Sequence, residues 1–398
     1  MFILYLINFL LAVSSSMAMS LAPLFMTQTM GLSRLTFGVL EGFYELSADF
    51  MKLLSGRLID RTHKKKGWIA LGIVFSCLSK PFLMFGMTPS FISLCLSRLL
   101  ERMSNGSVAS ARDILIAVQS PEDARGKAYG KIMISKTLGC FIGPFLLAFW
   151  CVLYPSADDS HYISLILVSL LFSLLAGWFM GYLPHDRGED KLKHISAPDW
   201  EEIWKLVMSH KALLASFSLF MLGRFNDGIL IFYLKEMNFP PEFYLSTIGI
   251  FNYVSLITAH PVGRLLDRGY IRPLLYATVL ALVLFNACFL IGGELWLFML
   301  GVAFWGFQRS SFQIIFTTAL SHIVPLSHLG TALGLAAILK GVVFLVSCTV
   351  AGVLSGYSYT WVFLFSLITS VLTLLTIPRK SLLARAPAQP LCESRNEE

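Results

Sequence analysis

The chain alternates long apolar runs with short polar breaks over nearly its whole length. Most runs span about 20 residues, the length that an α-helix needs to cross a bilayer. They are continuously apolar and not alternating, which favours helices over a β-barrel. The pattern predicts about twelve spans, numbered here as helices 1 to 12: Phe2–Met26, Leu35–Ser55, Trp68–Met87, Phe91–Val118, Ala128–Leu153, Tyr162–Leu183, Lys211–Tyr233, Leu245–Val262, Ile271–Ile291, Leu295–Leu320, Thr331–Leu354 and Tyr359–Thr376.

One long hydrophilic break lies near the middle of the chain, at residues 184–210. It divides an all-α integral membrane protein into two six-helix halves, residues 1–183 and 211–377, followed by a polar tail at 378–398. Ser196-Ala197-Pro198-Asp199 resembles a helix start, so the break is either a linker with a short surface helix or a disordered linker. A signal peptide is the alternative to a retained helix 1, but no Lys or Arg precedes that apolar run.

Composition agrees with a membrane protein. Hydrophobic residues make up 56% and charged residues 14% of the 398 residues, whereas soluble domains contain about 25% charged residues. Lys and Arg are concentrated in the loops that follow even-numbered helices, which predicts that both termini are cytoplasmic. The expected partners are therefore the lipid bilayer and a small-molecule substrate, not nucleic acid. The seven cysteines are scattered and form no CxxC pair. We therefore expect no disulfide framework and no metal site.

Helix 2 contains ionisable residues where an apolar span would carry none. Glu41, Glu45 and Lys52 fall on one helical stripe, with Asp49 at its edge. Charged groups inside a membrane are costly and usually face a protein-lined pathway for ions or solutes. We therefore assign these residues to a substrate or proton pathway.

Helix 4 contains a second polar stripe, in which Arg98, Glu101, Arg102 and Asn105 are spaced 0, 3, 4 and 7. Arg102 could hold an anionic group of a substrate. It could also stay paired with Glu45 or Glu101 and change the proton affinity of that carboxylate. The alternative is a permanent ion-pair network that only joins helices 2 and 4.

Three helices of the second half add candidates to the same pathway. Arg224, Asn226 and Asp227 lie in helix 7, where a local Arg224–Asp227 pair is the alternative to a role in the cavity. In helix 10, Arg309 shares a stripe with Trp305, Gln308 and Phe312, which suits an anionic or ring-bearing solute or an ordinary packing face. Lys340 lies in the middle of helix 11, whereas Lys131 and Lys136 of helix 5 are expected to meet lipid headgroups.

An internal repeat supports two equivalent halves. Gly56-Arg57-Leu58-Ile59-Asp60-Arg61 returns as Gly263-Arg264-Leu265-Leu266-Asp267-Arg268, at an offset of 207 residues. Both copies end an even-numbered helix. Two copies at equivalent places indicate a duplicated unit with pseudo-symmetric halves.

These motifs resemble those of the major facilitator superfamily of secondary transporters. The G-x-L-x-D-R turn is similar to its loop 2–3 signature, although Thr62-His63 stands where that signature has glycine. Arg102…Gly106 resembles a helix 4 signature, and Gly139…Gly143-Pro144 resembles a helix 5 signature of exporters and antiporters. Features of helices 2, 4 and 7 resemble a bacterial, largely uncharacterised subgroup, which implies a bacterial inner membrane.

The resemblance implies a gate and a bend. Asp60 is expected to pair with helix ends of the opposite half when the inner side is closed, whereas the second copy is expected to do less. Gly139, Gly143 and Pro144 would let helices pack closely and bend. The expected gating residues are Gly56, Asp60, Arg61, Arg112, Gly263, Asp267 and Arg268.

The sequence thus predicts a secondary active transporter that works by alternating access, with proton-coupled export of a small, possibly anionic, organic solute. Glu41, Glu45 and Asp227 are the proton-carrier candidates, and Arg98, Arg102, Arg224 and Arg309 the anion-binding candidates. Import of a siderophore-like or other anionic metabolite is the alternative, as is a receptor without turnover. The proton gradient would supply the energy, no cofactor is expected, and a monomer is expected. The sequence shows no nucleophile–base pair of the kind that would indicate an enzyme.

Overall fold

The protein is a bundle of long helices in the computed structural model. The structure describes residues 1–24, 33–85, 91–153, 159–183, 211–237, 241–292 and 294–377, together with residues 201, 204 and 208. The predicted linker with its surface helix and the polar tail lie outside these residues, apart from those three single positions. All regular secondary structure in the described ranges is helical.

The described ranges contain twelve spans, and eleven of them are single helices. We number them α1 to α12, with the seventh in two pieces, α7a and α7b. In chain order their bounds are Phe2–Leu24 (α1), Arg34–Thr62 (α2), Lys65–Phe85 (α3), Phe91–Gln119 (α4), Arg125–Leu153 (α5), Asp159–Met180 (α6), Lys211–Gly223 (α7a), Asp227–Glu236 (α7b), Pro241–Asp267 (α8), Ile271–Ile291 (α9), Leu295–Ile323 (α10), Leu329–Tyr357 (α11) and Tyr359–Thr376 (α12). Short 3₁₀ turns at Glu122–Ala124 and Leu326–His328 precede α5 and α11.

The pairing of helices confirms the two pseudo-symmetric halves. In the first half α1 packs on α5 and α6, α3 packs on α4 and α6, and α2 packs on α4. The same pairs recur in the second half when six is added to each number. The two most extensive pairings between the halves are α2 with α11 and α5 with α8, and these also exchange under the same rule.

The two junctions share one device. Gly56 of α2 meets Gly330 of α11, and Gly126 of α5 meets Gly263 of α8, with backbone against backbone. A Cβ at Gly330 would stand 2.6 Å from the Gly56 carbonyl oxygen, and one at Gly126 would stand 2.5 Å from that of Gly263. Only glycine permits so close a crossing. These four residues lie at the end of the bundle that contains both G-x-L-x-D-R turns, called here the basic end; the other is the far end.

The departure from the signature at Thr62-His63 has a visible consequence. His63 ends α2 with a left-handed φ of 57°, a region that glycine enters without strain. In the second copy the left-handed residue is Gly269, with φ of 86°, one position closer to its Asp-Arg pair. Each turn therefore contains one left-handed residue, and only the second copy places glycine there.

Helix 7 differs from the predicted continuous span. Residues 224–226 interrupt it between α7a and α7b. Ser347 of α11 donates a hydrogen bond of 2.8 Å to the Leu222 carbonyl and another to that of Arg224, and Ser366 of α12 donates to that of Gly223. The Asn226 side chain accepts from the Gly228 amide at 2.7 Å. Apolar periodicity gave no sign of the break because the exposed carbonyls are satisfied by distant helices.

Seven helices in the described ranges are long and apolar enough to cross a membrane by length and composition alone. Helices such as α2 and α4 fall short because ionisable side chains interrupt their apolar surface. These more polar helices lie next to the junction of the halves, where protein and not lipid surrounds them. The polar helices therefore mark the candidate site.

Candidate functional site

Helix α2 presents a ladder of ionisable side chains to α4, α7b and α11. At the level nearest the far end, Glu41 accepts from Arg98 and, at 3.5 Å, from Arg102. Asn226 at the helix 7 break donates to the same carboxylate at 3.1 Å. Glu41 is 2% exposed, so it joins three helices across the two halves.

The next level contains the two central carboxylates. Glu45 pairs with Arg102 at 2.8 Å, and Asp49 pairs with Lys340 of α11 at 3.1 Å. The Glu45 side chain is 29% exposed, far more than that of Glu41. The charges of Arg102, Lys340, Lys136 and Arg224 all act on Glu45. Glu45 is therefore the accessible acid at the centre of a cationic space.

A third level lies closer to the basic end. Lys52 binds Asp113 of α4 at 3.0 Å. Arg112 donates two bonds to the same carboxylate, at 3.0 and 2.9 Å, and a third to Asn8 of α1 at 2.9 Å. Asp113 is thus held by two cations. Arg112, a predicted gating residue, belongs to this level through Asp113 and Asn8, and its gating role stays a prediction.

In the second half, Asp227 is the first residue of α7b. It does not pair with Arg224, the local partner that the sequence suggested. It accepts from the Trp305 indole at 2.8 Å and from Arg309 at 2.5 Å, both on α10. Arg224 instead stacks over the Trp305 ring at 5.7 Å. The break in helix 7 separates Arg224 from Asp227, and each side chain takes a different neighbour.

Two cations at the cavity have no carboxylate within 4 Å in the described part of the chain. One is Arg224, whose Nε has no hydrogen-bond partner. The other is Lys136 of α5, which lines a cleft with Arg112, Asp113 and Gln313 of α10. Lys136 was expected to meet headgroups. It lines this cleft between α4, α5 and α10 instead, so it faces the interior.

Glu101, predicted to line the same pathway, does not belong to the ladder of α2. It accepts from Lys80 of α3 at 2.6 Å and from Ser79 at 2.6 Å, and the Lys80 side chain is fully buried. The pair sits between α3 and α4, away from the ladder, because Glu101 and Arg102 are about 100° apart around the helix. Sequence reasoning missed Lys80, although an ionisable residue in an apolar run was a usable signal.

Both repeat aspartates cap a helix of the opposite half. Asp60 accepts from the Gly330 and Thr331 amides at 3.1 and 2.6 Å, at the start of α11. Asp267 accepts from the Gly126 and Lys127 amides at 2.6 and 2.7 Å, at the start of α5. A carboxylate at a helix N-terminus satisfies free amides and favours the helix dipole.

Asp267 repeats the two amide contacts of Asp60, whereas Asp60 also accepts from the Thr331 hydroxyl at 2.7 Å. That the second copy does less stays a prediction. A P-x-x-x-x-G pattern precedes both capped helices, at Pro121…Gly126 and Pro325…Gly330. This repeat could have revealed the equivalence. The motif arginines Arg61 and Arg268 are exposed at the basic end.

The helix 5 motif packs against α1. Gly139 lies next to Phe9 and Ala12, and Gly143 lies next to Val13 and Met17. The predicted close packing is therefore present. Pro144 lies inside an unbroken α5, and its predicted bending role stays a prediction.

Comparison with known proteins places this arrangement in a family. The model of the Major Facilitator Superfamily matches residues 4–293 and 228–396. An uncharacterised MFS-type transporter of Methanocaldococcus jannaschii is 28% identical over 177 residues, which cover 44% of this chain and 43% of that protein. An uncharacterised protein of Mycobacterium tuberculosis is 26% identical over 120 residues, 30% of this chain and 29% of its own length. The chain thus matches less than half the length of these relatives.

Solved structures agree on the fold. The human organic anion transporter MFSD10 superposes with a TM-score of 0.71 at 16% identity, covering 94% of this chain and 97% of that one. The proton:xylose symporter XylE gives 0.70 at 14% identity, covering 94% and 93%. At these identities the likeness concerns architecture alone. With the family match over the whole chain, the protein belongs to the major facilitator superfamily and is a multi-pass membrane protein.

Proposed function

We propose that this transporter carries a small organic anion and that proton binding at Glu45 is coupled to its movement. One observation supports the anion: in the described part of the chain, eight cationic side chains surround five acidic ones at the junction of the halves. The cations are Lys52, Arg98, Arg102, Arg112, Lys136, Arg224, Arg309 and Lys340, and the acids are Glu41, Glu45, Asp49, Asp113 and Asp227.

An excess of three positive charges favours an anionic ligand. A buried charge without a counter-charge is strongly destabilising, whereas a bound anion compensates it. Arginine also matches carboxylate geometry with two parallel hydrogen bonds. The same excess disfavours a cationic solute in this space, because like charges would repel it.

Glu45 is the favoured proton carrier because of its exposure and its single strong partner. Ionised Glu45 holds Arg102 at 2.8 Å. Protonation removes that attraction and leaves Arg102 free to bind an anionic group. Glu41 is held by three donors on two helices and is buried, which favours a structural role for it.

This linkage favours binding of proton and anion together, hence their movement in the same direction. With an inward proton gradient such coupling drives uptake, the alternative that the sequence left open. Export remains the second candidate, and the Gly139…Pro144 motif is the observation that favours it. An inner-membrane location with cytoplasmic termini, no cofactor and a monomeric state complete the proposal.

The test uses the purified full-length protein in liposomes that contain a pH-sensitive dye, with the membrane potential clamped. Organic anions and neutral analogues of the same size are added outside. We expect anions alone to acidify the interior, because each enters with a proton. Interior alkalinisation would indicate exchange and favour export. Equal uptake of the neutral analogues would refute an anion carrier.

A variant locates the proton site. Glu45→Gln imitates the protonated acid, so we expect anion exchange to persist while proton movement is lost. Glu294→Gln changes an exposed carboxylate at the start of α10 and serves as the matched control, with unchanged behaviour. Proton movement that survives in Glu45→Gln would assign the carrier to another acid.

A further inference from the structure

In the described part of the chain, two cations at the junction of the halves make no ion pair. Each acid at the junction already has a cationic partner within 3.1 Å. These acids are Glu41, Glu45, Asp49, Asp113 and Asp227. Arg224 and Lys136 have no carboxylate within 4 Å among the described residues. One belongs to the second half and the other to the first, so the surplus is divided between the two bodies that move in alternating access.

Lys136 is inside the bundle yet accessible. It lies on α5, more than a third exposed, in the cleft bounded by Tyr129, Gln313 and Thr317. The cleft is partly open to solvent. The nearby charges on Lys136 are those of Arg112, Arg309 and Glu45. Its ammonium thus keeps free donors next to space that a solute could fill.

The backbone of Arg224 is fixed by a hydrogen bond, while its guanidinium forms no ion pair with a carboxylate of the described residues. The Arg224 carbonyl accepts from Ser347, and its guanidinium rests over Trp305 at 5.7 Å. Its Nη1 reaches only the Met221 sulfur, at 3.9 Å, and its Nε has no partner. The charges of Asp227, Arg309 and Glu45 act on it. A fixed guanidinium with unused donors is suited to bind a carboxylate.

From these two cations, we infer that the transported anion is a small dicarboxylate, with one carboxylate on Lys136 and the other on Arg224. The inference rests on the proposed function and specifies the substrate of the same site. Arg224 lies over Trp305, and Lys136 lines the cleft beside Gln313. Trp305, Arg309 and Gln313 follow one face of α10 at a spacing of four residues, so the two cations border the same face of that helix. A ligand with an acid at each end joins the halves, and its binding free energy then favours closure of the site around it.

The experiment measures binding, independent of transport. The full-length protein in detergent is titrated by calorimetry with glutarate and adipate and with the monoanions pentanoate and hexanoate, which have the same chain lengths. We expect the dicarboxylates to bind about tenfold more tightly or better, because the second carboxylate gains a charge-assisted hydrogen bond. Equal affinity within each pair overturns the inference.

Variants assign the two ends. In Lys136→Met and in Arg224→Met we expect the preference for dicarboxylates to disappear while monoanion binding persists. Lys136→Arg keeps the charge and should keep the preference, which separates loss of recognition from misfolding. Lys131→Met alters an exposed lysine of the same helix and should change nothing. A preference that survives in Lys136→Met overturns the assignment.

The outcomes also separate this inference from the proposed function. Monoanions and dicarboxylates that bind equally well leave an anion carrier standing and remove the dicarboxylate. Binding of neither class, in protein that elutes as a single species, refutes both. Binding of neutral analogues with the same affinity refutes the anion carrier itself.

Discussion

The two halves share one architecture but are stabilised by different interactions. Within the first half, buried ion pairs join α2, α3 and α4, with Lys80–Glu101, Arg98–Glu41 and Lys52–Asp113 as the main links. In the described part of the second half, Arg309 of α10 pairs with Asp227 of α7b. The second half instead packs rings around Phe285, which lies 4.6 Å from Trp305 and 4.8 Å from Phe289 between ring centroids.

The difference suggests a division of labour. Ion pairs can exchange partners when a proton or an anion arrives, whereas close-packed rings resist rearrangement. The first half therefore contains the groups that could change protonation or pairing partner. The second half is a rigid body that keeps its shape while they do so. The following predictions, from the largest expected effect to the smallest, test that contrast.

The Lys80–Glu101 pair should make the largest contribution to stability. Lys80→Met leaves the Glu101 carboxylate buried with Ser79 as its remaining donor, and we expect a loss of about 3–5 kcal/mol. Thermal unfolding in detergent measures it, with Lys131→Met as control. The double variant Lys80→Met/Glu101→Leu should recover most of the loss. A single variant as stable as the wild type would contradict a charge-dependent first half.

The aromatic core of the second half should be nearly as sensitive. Phe285→Ala removes a fully buried ring, and we expect a loss of about 3 kcal/mol, because a membrane protein loses packing but little transfer energy. Phe145→Ala changes a ring that is 56% exposed and should have little effect. If the two alanine variants unfold at the same temperature, the ring cluster is not what stabilises this half.

The repeat aspartates test what the halves have in common. Asp60→Asn and Asp267→Asn each remove a charge from a helix N-terminus, and we expect each to shift the equilibrium toward an open basic end by about 1–2 kcal/mol. Spin labels at the exposed positions Lys64 and Tyr270 would report a wider separation in both variants, with membrane insertion unchanged. A response to Asp60→Asn alone would mean that the second copy is inert.

The smallest effect is expected at the far end. Arg34 binds Glu236 and the Ser355 carbonyl, but both charged side chains are more than 40% exposed. We expect Arg34→Gln to cost less than about 1 kcal/mol and to reduce the salt dependence of the unfolding temperature. A loss as large as that of Lys80→Met would place a main stabilising contact at the surface.

Much of the fold was predictable because it depends on local composition. The apolar runs are long enough to span a bilayer, and in lipid a helix is the structure that satisfies its own backbone. The repeat at Gly56 and Gly263 gave the pseudo-symmetry. Helical periodicity also placed Glu41, Glu45 and Arg102 on faces that do meet.

The choice of partners was not predictable. Glu101 shares a stripe with Arg98 and Arg102, yet the stripe is wide enough to face two helices, and Lys80 of α3 takes it. Glu41 binds Asn226, 185 residues away, which no spacing rule anticipates. The break at residues 224–226 and the inward position of Lys136 likewise depend on groups that distant helices supply.

By itself the sequence determined a twelve-span membrane bundle in two related halves, with ionisable residues at their junction, because length, hydrophobicity and periodicity act within each helix. Tertiary structure alone decided which acid meets which base, that both aspartates cap an opposing helix, and that two cations make no ion pair within the described residues. Those outcomes depend on distances between helices that are far apart in the chain, and charges interact through space and not along the sequence.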